Sequence, residues 1–298
     1  MAAIDVLLPY WGDVGYFTQA VVSVVEQTEA DWRLVIVDDC YPSDEPREWV
    51  ERLDDPRVVY VRNERNLGAN ANYRKALGLA EAPLTVMMGA DDVMRSNYLS
   101  VVLAAAGRHP EAAVIQPGVA VIDGDGREYL PLADRVKGWY APRLSRGSGS
   151  RERLLGGQAM ARSLLRADWA YFPSLAWRTD VMKRIGFTEG LHVVQDLALL
   201  LDIAAEGGAM LVVNDVAFNY RRHAGSDSSV KAVNGARFDE ERAFFAVSAQ
   251  RFAELGWGHA ARAARWHLSS RLNALSLMPT ALAAGGGAPR TLLRHIFG

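Results

Sequence analysis

Residues 4–88 alternate between short apolar runs and segments with helical spacing, and this alternation restricts the fold more than any other feature. The apolar runs, each the length of a strand buried on both faces, are residues 4–8, 34–37, 58–61 and 84–88. Between the first two runs, Phe17, Val21 and Val24 recur at helical spacing. Because strands joined by such helices pair in parallel, we predict the α/β class. The expected architecture is a doubly wound, Rossmann-like sheet with helices on both faces, whose strands end in one polar crevice.

The rest of the chain has a looser pattern. Further strands are predicted at residues 113–116, 119–122, 175–177, 211–213 and 217–220, and a helix at residues 197–205. Residues 137–153 predict a mobile basic loop, because arginine and lysine stand there among glycine and serine. Its basic residues are Lys137, Arg143, Arg146, Arg151 and Arg153. We divide the chain into residues 1–125, residues 126–235 and a helical C-terminal extension, residues 236–298.

The fourth apolar run stops at Gly89 and Ala90, which are followed by two adjacent carboxylates, Asp91 and Asp92. In an open α/β sheet the carboxyl ends of the strands face the ligand crevice. Paired carboxylates at that edge suit a hard divalent cation, Mg²⁺ or Mn²⁺, which takes oxygen ligands and shares them with substrate phosphates. A surface turn that caps the next helix is the alternative interpretation.

Two other features carry unusual side chains. Pro9 and Tyr10 follow the first predicted strand, and Asp38 and Asp39 follow the second. Residues 168–173 bring three aromatic side chains together just before the strand predicted at residues 175–177. Aromatic faces form platforms for sugar rings, but they also pack in cores, so both interpretations stay open for this cluster.

Composition excludes several classes of protein. The formal net charge of -2 and the pI near 6.3 give no electrostatic footprint for nucleic acid, so we expect none as a partner. The single cysteine, Cys40, excludes an internal disulfide and a multi-cysteine zinc site. The first strand follows the N-terminus without a basic segment, and no apolar run approaches the roughly 20 residues that span a bilayer. We therefore predict a cytoplasmic protein.

The C-terminal extension is basic. From Arg242 to Gly298 the sequence holds seven arginines and one acid, Glu254. Such a segment can contact anionic lipid at the inner face of a membrane, or a partner subunit such as a second copy of this chain. A pair of helices packed on the sheet with a solvated basic face is the alternative.

Taken together, these residues resemble the GT-A fold, family 2 glycosyltransferases, which are inverting enzymes that use nucleotide-sugar donors. The resemblance covers residues 4–228 and depends on the order and spacing of five motifs. The first three are Pro9-Tyr10 through Gln27-Thr28 to Val37-Asp38-Asp39, Asn66-Leu67-Gly68 with Asn72, and Gly89-Ala90-Asp91-Asp92. The others are Phe172-Pro173-Ser174 through Arg178 with Ile185-Gly186-Phe187, and Gln195-Asp196-Leu197.

The resemblance implies a role for each motif. Asp92 and Asp91 would hold Mn²⁺ or Mg²⁺, with His223 reaching the metal and Arg222 the diphosphate, while Asp196 would be the general base. Residues implied at the nucleotide are Pro9, Tyr10, Asp38, Asp39, Asn66, Gly68, Arg74 and Asp91. Tyr10 would stack on the base and Asp38 or Asp39 would accept its imide N–H, which favours a UDP- or dTDP-sugar. A glycan, a lipid-linked molecule or a small molecule would supply the acceptor hydroxyl.

The sequence departs from the family pattern at three positions, one of which is Arg74, where the related signature commonly has asparagine. Gly89 stands where the family often has an acid, and Gln195 stands where it often has glutamate. A catalytically inactive binding or scaffold relative of the same fold is therefore one alternative. A sugar-nucleotide pyrophosphorylase is another, although its glycine-rich basic loop is replaced here by the acidic and aromatic residues 9–13. A nicotinamide dehydrogenase is disfavoured because GxGxxG is absent after the first strand.

Overall fold

The computed structural model describes residues 2–142, 152–223, 236–284 and 288–297, which form a mixed sheet covered by helices. The strands are β1 (Ile4–Tyr10), β2 (Trp32–Asp38), β3 (Val58–Arg62), β4 (Leu84–Met87), β5 (Val93–Met94), β6 (Ala112–Ile122), β7 (Glu152–Gly156), β8 (Ala176–Arg178) and β9 (Ala209–Arg221). The helices before β9 are α1 (Val14–Val25), α2 (Glu45–Glu51), α3 (Ala69–Gly78), α4 (Tyr98–Arg108), α5 (Leu132–Tyr140), α6 (Gly157–Ala167), α7 (Thr179–Ile185) and α8 (Gln195–Ala205). After β9 come α9 (Ala236–Glu254), α10 (Gly258–Trp266), α11 (Leu268–Ala284) and α12 (Ala288–Phe297).

The strand order is β3-β2-β1-β4-β8-β6-β9-β5, with β7 also pairing with β9. The first four strands in this order are mutually parallel, as the alternation predicts. Strand β8 is antiparallel to both β4 and β6, whereas β6 and β9 are parallel to each other. Because β8 is antiparallel to both of its neighbours, β4 and β6 run in the same direction. The carboxyl ends of β1, β2, β4, β6 and β9 therefore all meet at one edge of the sheet.

The pleat of β1 shows why the sheet is covered on both faces. Ile4, Val6, Leu8 and Tyr10 belong to one buried cluster together with apolar side chains of α1 and α4. Leu7 belongs to a second buried cluster with residues of α3, α6, α8, α9 and α10. Successive side chains of a strand point to opposite faces, so a fully apolar strand requires helices on both sides.

Two predicted pairs of strands are single long strands in the structure. Residues 113–116 and 119–122 both lie in β6, and residues 211–213 and 217–220 both lie in β9. The pairing of β6 with β9 shifts register around Gly118, where a Cβ would lie 3.0 Å from Asn214 O and from Val216 Cα. Gly118 therefore marks a bulge where two backbones approach closely, not a chain reversal.

The predicted basic loop at residues 137–153 is wrong at both of its ends. Lys137 lies in α5 and Arg153 lies in β7, while residues 143–151, with Arg143, Arg146 and Arg151, lie outside the described residues. Strand β7 forms because β9 offers it an edge to pair with, which is a long-range partner that local composition does not reveal.

The helical C-terminal extension is confirmed in its described part. It is joined to α8 by the ion pair between Arg251 of α9 and Asp202 of α8. Its last helix, α12, packs Leu292 against Phe238 and Ala274. No helix in the described ranges is both long enough and apolar enough to cross a membrane.

Candidate functional site

The acidic pair lies at the carboxyl edge of the sheet, in the turn between β4 and β5. Asp92 is 1% exposed, and its Oδ1 accepts a hydrogen bond from the backbone N–H of Arg221 at 2.8 Å. Its other oxygen, Oδ2, is buried and has no hydrogen-bond partner among the described residues. A Cβ on Gly89 would lie 2.5 Å from Asp92 Oδ2 and 3.0 Å from Asp91 Oδ1. One oxygen of each carboxylate therefore faces the same space beside Gly89.

Burial raises the pKa of Asp92 well above its usual range, and the neighbouring charge of Asp91 raises it further. The hydrogen bond from the Arg221 N–H and the arginine charges oppose this shift without cancelling it. An unpaired buried carboxylate is unfavourable, so the folded chain pays in stability for keeping Asp92 in this position. A positive charge beside Asp91 and Asp92 would lower the pKa of Asp92 again, because it stabilises the ionised carboxylate.

Residues at and just after the end of β9 surround the acidic pair. The alternation of side chains along a strand determines which of these residues point toward it. Arg221 is buried, donating from Nε to Asp91 O at 2.7 Å and from Nη2 to Gln19 Oε1 at 2.7 Å. His223, two residues further, lies on the same side, with Nε2 2.9 Å from Asp91 Oδ2. Arg221 is absent from the predicted site residues, although the two-residue period of a strand groups it with His223 rather than with Arg222.

Arg222 points away from the acidic pair. Its Nη2 donates to Asp134 Oδ1 at 2.8 Å, and its Nε lies 2.8 Å from Asp134 Oδ2 in an ion-pair contact. The hydroxyl of Tyr171 donates to the same Asp134 Oδ1 at 2.9 Å. The structure therefore places Arg222 as a link from β9 to α5 and to the segment before β8. The diphosphate contact predicted for it has no counterpart among its described partners.

Asp38 and Asp39 are buried at the end of β2 and are hydrogen-bonded within the protein. Asp38 accepts from the N–H of Tyr41 at 2.7 Å and from the hydroxyl of Tyr60 at 2.8 Å. Asp39 accepts from Asn63 Nδ2 at 2.7 Å and from two backbone N–H groups, those of Leu67 at 2.7 Å and Gly68 at 2.8 Å. Asp39 therefore shapes the loop that leads into α3.

The residues of the Asn66-Leu67-Gly68 motif and the helix after it divide into two groups. Asn66 and Gly68 lie in that loop, where Gly68 has a φ of +82° and donates its N–H to Asn66 Oδ1 at 3.0 Å. Asn72, on the buried face of α3, donates to Val37 O at 2.8 Å and ties the helix to β2. Arg74 is exposed two residues further along α3, a separation that puts it on the opposite face of a helix. None of the described contacts brings Arg74 to the acidic pair.

Tyr10 is a packing residue in this structure. Its side chain is 1% exposed, with its ring centroid 4.2 Å from that of Phe17 and 5.2 Å from that of Tyr41. The preceding Pro9 pairs with Val37 inside the sheet, because β1 runs on through Pro9 to Tyr10. The exposed ring at this edge is Trp11, which is 52% exposed and lies against Tyr41. The stacking predicted for Tyr10 would therefore fall more readily to Trp11.

The candidate base, Asp196, lies in the first turn of α8, whose N-cap is Val194. Its Oδ1 accepts from the N–H of Leu197 at 2.8 Å. Burial lowers the pKa of the nearby Arg237, but the charges of Glu241, Asp168 and Asp196 outweigh burial and raise that pKa. Asp196 thus shares a buried charge cluster with α9.

The aromatic segment before β8 packs in the core for the most part. Trp169 is buried and donates from Nε1 to Ser163 Oγ at 3.1 Å. Phe172 lies against Tyr73, Trp177 and Phe187. The core interpretation of this cluster is therefore the one that its contacts favour.

The acidic pair fits a divalent cation in its chemistry. Asp92 Oδ2 is an orphaned oxygen, and Asp91 Oδ1 faces the same space. Within the described ranges, no group of three or more His, Cys, Asp or Glu side chains is arranged to hold a metal. A cation bound here would take its remaining ligands from a diphosphate and water, which is how Mg²⁺ is usually held.

Comparison with known proteins identifies sequence relatives of this chain. WcaA of Escherichia coli (strain K12), named for colanic acid biosynthesis, is 35% identical over 102 residues, 34% of this chain and 37% of WcaA. The Escherichia coli glucosyltransferase WfgD is 28% identical over 98 residues, 33% of this chain and 38% of WfgD. The glycosyltransferase MJ1057 of Methanocaldococcus jannaschii is 20% identical over 211 residues, 69% of this chain and 66% of MJ1057. The matched part of this chain thus spans little more than a third of WcaA and WfgD.

Solved structures share the fold. S. aureus TarS 1-349 superposes with a TM-score of 0.65 at 15% identity, covering 100% of this chain and 81% of that one. Its complex with UDP-GlcNAc gives a TM-score of 0.60 at 17% identity, covering 82% and 66%. The GT-A-like fold is therefore confirmed. A family model described as Glycosyl transferase family 2 matches residues 5–170, more than half of the 298 residues, and this chain belongs to that family.

Proposed function

We propose that this chain is an inverting glycosyltransferase that moves one sugar from a UDP- or dTDP-sugar to a hydroxyl acceptor. The observation that carries the proposal is the buried Asp92 Oδ2, which has no hydrogen-bond partner among the described residues and faces the same space as Asp91 Oδ1. An uncompensated carboxylate at a ligand edge is unfavourable unless a positively charged ligand completes it. The UDP-GlcNAc bound by TarS and the UDP-Glc in the name of WfgD support the choice of donor.

In this mechanism Asp91 and Asp92 hold Mn²⁺ or Mg²⁺, which when bound neutralises charge on the departing diphosphate. His223 positions Asp91 through the contact between Nε2 and Oδ2, as outer partners of metal-binding carboxylates do. Arg221 fixes the backbone around both acids. None of these residues needs to move a proton.

Besides neutralising the departing diphosphate, the reaction requires a base for the acceptor hydroxyl. In this proposal Asp196 is that base. It lies on the acceptor-side helix α8, whereas the acidic pair follows β4, so the two carboxylate sites come from separate halves of the chain. Inversion needs the base on the side of the sugar opposite the leaving group, which two separate sites can provide. The dipole of α8 favours an ionised carboxylate in its first turn.

Thermal melting with UDP and dTDP, each with Mn²⁺ and with EDTA, tests the donor side. A ligand that binds only the folded state raises the melting temperature by mass action. We expect the rise with Mn²⁺ and its loss in EDTA, because the diphosphate and the acidic pair repel each other without a cation. Equal shifts in the two conditions would overturn the metal assignment.

Asp92→Asn is the matching variant. Without metal it should melt at or above the temperature of the natural chain, because the substitution removes an unfavourable buried charge while keeping the oxygen that accepts from Arg221. Its Mn²⁺-dependent shift with UDP should disappear. Asp180→Asn, an exposed acid in the first turn of α7, is the control and should behave like the natural chain.

A further inference from the structure

A cavity in the described part of the chain lies away from the acidic pair. It has a volume of about 530 Å³ and lies among the end of α5, α6, α10 and the start of α11. Its charged lining consists of Arg162 and Arg166 on α6 and Arg262 on α10, with His259 beside them. None of its described lining residues is an acid, and none of the three arginines forms an ion pair with another described residue. Unpaired guanidinium groups that converge on one cavity favour an anionic ligand with phosphate chemistry.

Two segments near this cavity in sequence, residues 255–298 and residues 143–151, contain no acid. Residues 255–298 contain five arginines and neither aspartate nor glutamate. Residues 143–151, which lie outside the described residues, contain three arginines and no acid. The charge of this region therefore stays positive whatever the position of that segment.

The helix beside the cavity has an unusual exposed face. Leu268, which lines the cavity, is followed on α11 by Leu272, Leu275 and Leu282 at positions i+4, i+7 and i+14, which lie on one side of a helix. These leucines are 52%, 54%, 53% and 64% exposed. Trp266, at the end of α10 and also lining the cavity, is 60% exposed.

The side of α11 that faces the protein makes both apolar and polar contacts. Ala274 is buried there with Phe238 and Leu292, and Leu277 and Met278 pack against the same cluster. Ser270 pairs with Glu241 and with His295 Nε2 at 2.6 Å, and Arg271 donates to Ile296 O at 3.1 Å. Because α11 already buries an apolar side, as surface helices ordinarily do, its leucine stripe is a second apolar side that stays exposed. A contiguous exposed stripe of this kind marks a surface that binds something apolar.

We propose that the α6–α10–α11 face docks on an anionic phospholipid surface, with lipid phosphates in the arginine cavity and the leucine stripe and Trp266 at the acyl boundary. Two observations favour lipid over a soluble phosphate or a second copy of the chain. The apolar stripe directly continues a basic cavity, which matches a headgroup followed by acyl chains, and tryptophan is enriched at that depth. A second copy would bring three more arginines without ion-pair partners, Arg162, Arg166 and Arg262, to the same face. The proposal does not depend on the transfer reaction.

Flotation of the full chain with vesicles tests it. We expect binding to phosphatidylglycerol vesicles and none to phosphatidylcholine vesicles. Arg162→Gln with Arg262→Gln should weaken binding about 25-fold, since each basic residue near an anionic surface contributes about fivefold. Leu272→Ser with Leu275→Ser should weaken it by on the order of tenfold or more through lost apolar burial. The control is Arg47→Gln with Arg52→Gln, which removes equal charge from α2 and should bind as the natural chain does.

Melting of each variant with UDP and Mn²⁺ checks that the fold and the donor site are intact. The proposal would be overturned by equal binding of the natural chain to both kinds of vesicle, or by binding to neither. It would also be overturned if both double variants bound phosphatidylglycerol vesicles as the natural chain does, or if the α2 control lost as much vesicle binding as the Arg162→Gln with Arg262→Gln variant. Light scattering that shows a dimer dissociated by Leu272→Ser with Leu275→Ser, without vesicle binding, would assign the face to a second copy. Binding of inorganic pyrophosphate by the arginine cavity without vesicle binding would equally refute a lipid surface.

Discussion

The position of Asp196 distinguishes two roles for this residue. Val194 is the N-cap of α8, so Asp196 lies inside the first turn, where the helix dipole favours its charge and where its Oδ1 accepts from the N–H of Leu197. A purely structural acid here would tolerate asparagine at a cost of about 0.3–1 kcal/mol. A general base would not, because asparagine cannot accept the acceptor's proton.

We therefore predict that Asp196→Asn lowers kcat by on the order of 10²- to 10⁴-fold while the Kd for UDP with Mn²⁺ is unchanged. Steady-state kinetics with a saturating donor and the true acceptor would measure it. Asp180→Asn, which changes an acid in the first turn of α7, controls for helix electrostatics. Turnover by Asp196→Asn that matches this control would remove Asp196 from the mechanism and direct attention to Asp168.

The role of a single residue can be predicted from the sequence only where its signal is local. Asp91 and Asp92 could be found because two adjacent acids follow an apolar strand, and the structure puts both at the sheet edge. Arg221 could not be found by composition, because a buried arginine is recognised only when its partners are known, here Gln19, Asp91 and Asp92, far from it in sequence. The resemblance implies that Tyr10 stacks on the nucleobase, whereas the pleat places it in the row of Ile4, Val6 and Leu8 that packs on α1.

At the scale of elements, α9 is linked directly to the segment that leads into α8. Glu240 Oε1 accepts hydrogen bonds from three consecutive backbone N–H groups, those of His192 at 2.9 Å, Val193 at 2.6 Å and Val194 at 3.1 Å. Consecutive amides that converge on one carboxylate oxygen form an anion-binding nest. The helix after the sheet thus fixes the segment that leads into α8 and to Asp196.

Glu240→Ala should consequently loosen residues 191–194. We expect a loss of about 1–3 kcal/mol in the free energy of unfolding, because charge-assisted hydrogen bonds to a partly exposed carboxylate are lost. The KM for the acceptor should rise while the KM for the donor stays constant. Urea unfolding and the two KM values measure this, with Glu254→Ala at the exposed end of α9 as control. Indistinguishable behaviour of the two variants would show that Glu240 does not hold this segment.

Regular elements were predictable where their signal is local. The first four strands and their helices follow from apolar runs and helical spacing, since both patterns lie within about ten residues. Helix α5 and strand β7 were missed because their stability comes from distant partners: Asp134 of α5 pairs with Arg222, and β7 pairs with β9. Pro117 and Gly118 resemble a turn in sequence, but β6 continues through them because β9 pairs on both sides of the bulge.

At the scale of the whole molecule, the division at residues 125 and 235 stays a prediction. Several contacts cross these limits. Glu240 and Arg251 of α9 bind the segment before α8 and α8 itself, and Arg221 of β9 joins the turn after β6 to the acidic pair. The proposed chemistry draws on both parts and requires that they keep a fixed geometry, so the stability of the sheet as a whole would support the proposed site.

The end of β1 opposite the site carries a charge that holds the sheet together. Asp5 is fully buried and accepts from Arg33 Nε at 2.9 Å and Nη2 at 2.8 Å, and from the backbone N–H groups of Glu81 at 2.5 Å and Ala82 at 2.9 Å. Burial alone would raise the pKa of Asp5, but these donors and the arginine charge outweigh burial and lower it. The carboxylate thereby joins β1, β2 and the segment that precedes β4.

The sign of the pH dependence follows from that lowered pKa. Unfolded aspartate titrates near pKa ~3.9, so the stabilisation is complete above that value and is lost as the pH falls through the lower pKa of the folded state. Asp5→Asn should reduce the free energy of unfolding at pH 7 by about 2–4 kcal/mol, because Arg33 loses its bidentate partner. The difference from the natural chain should shrink as the pH is lowered from 4 toward 2. Urea unfolding across this range measures it, with the exposed pair of Asp125 and Arg127 as control through Asp125→Asn. A constant difference at every pH would show that the charge of Asp5 does not hold the sheet.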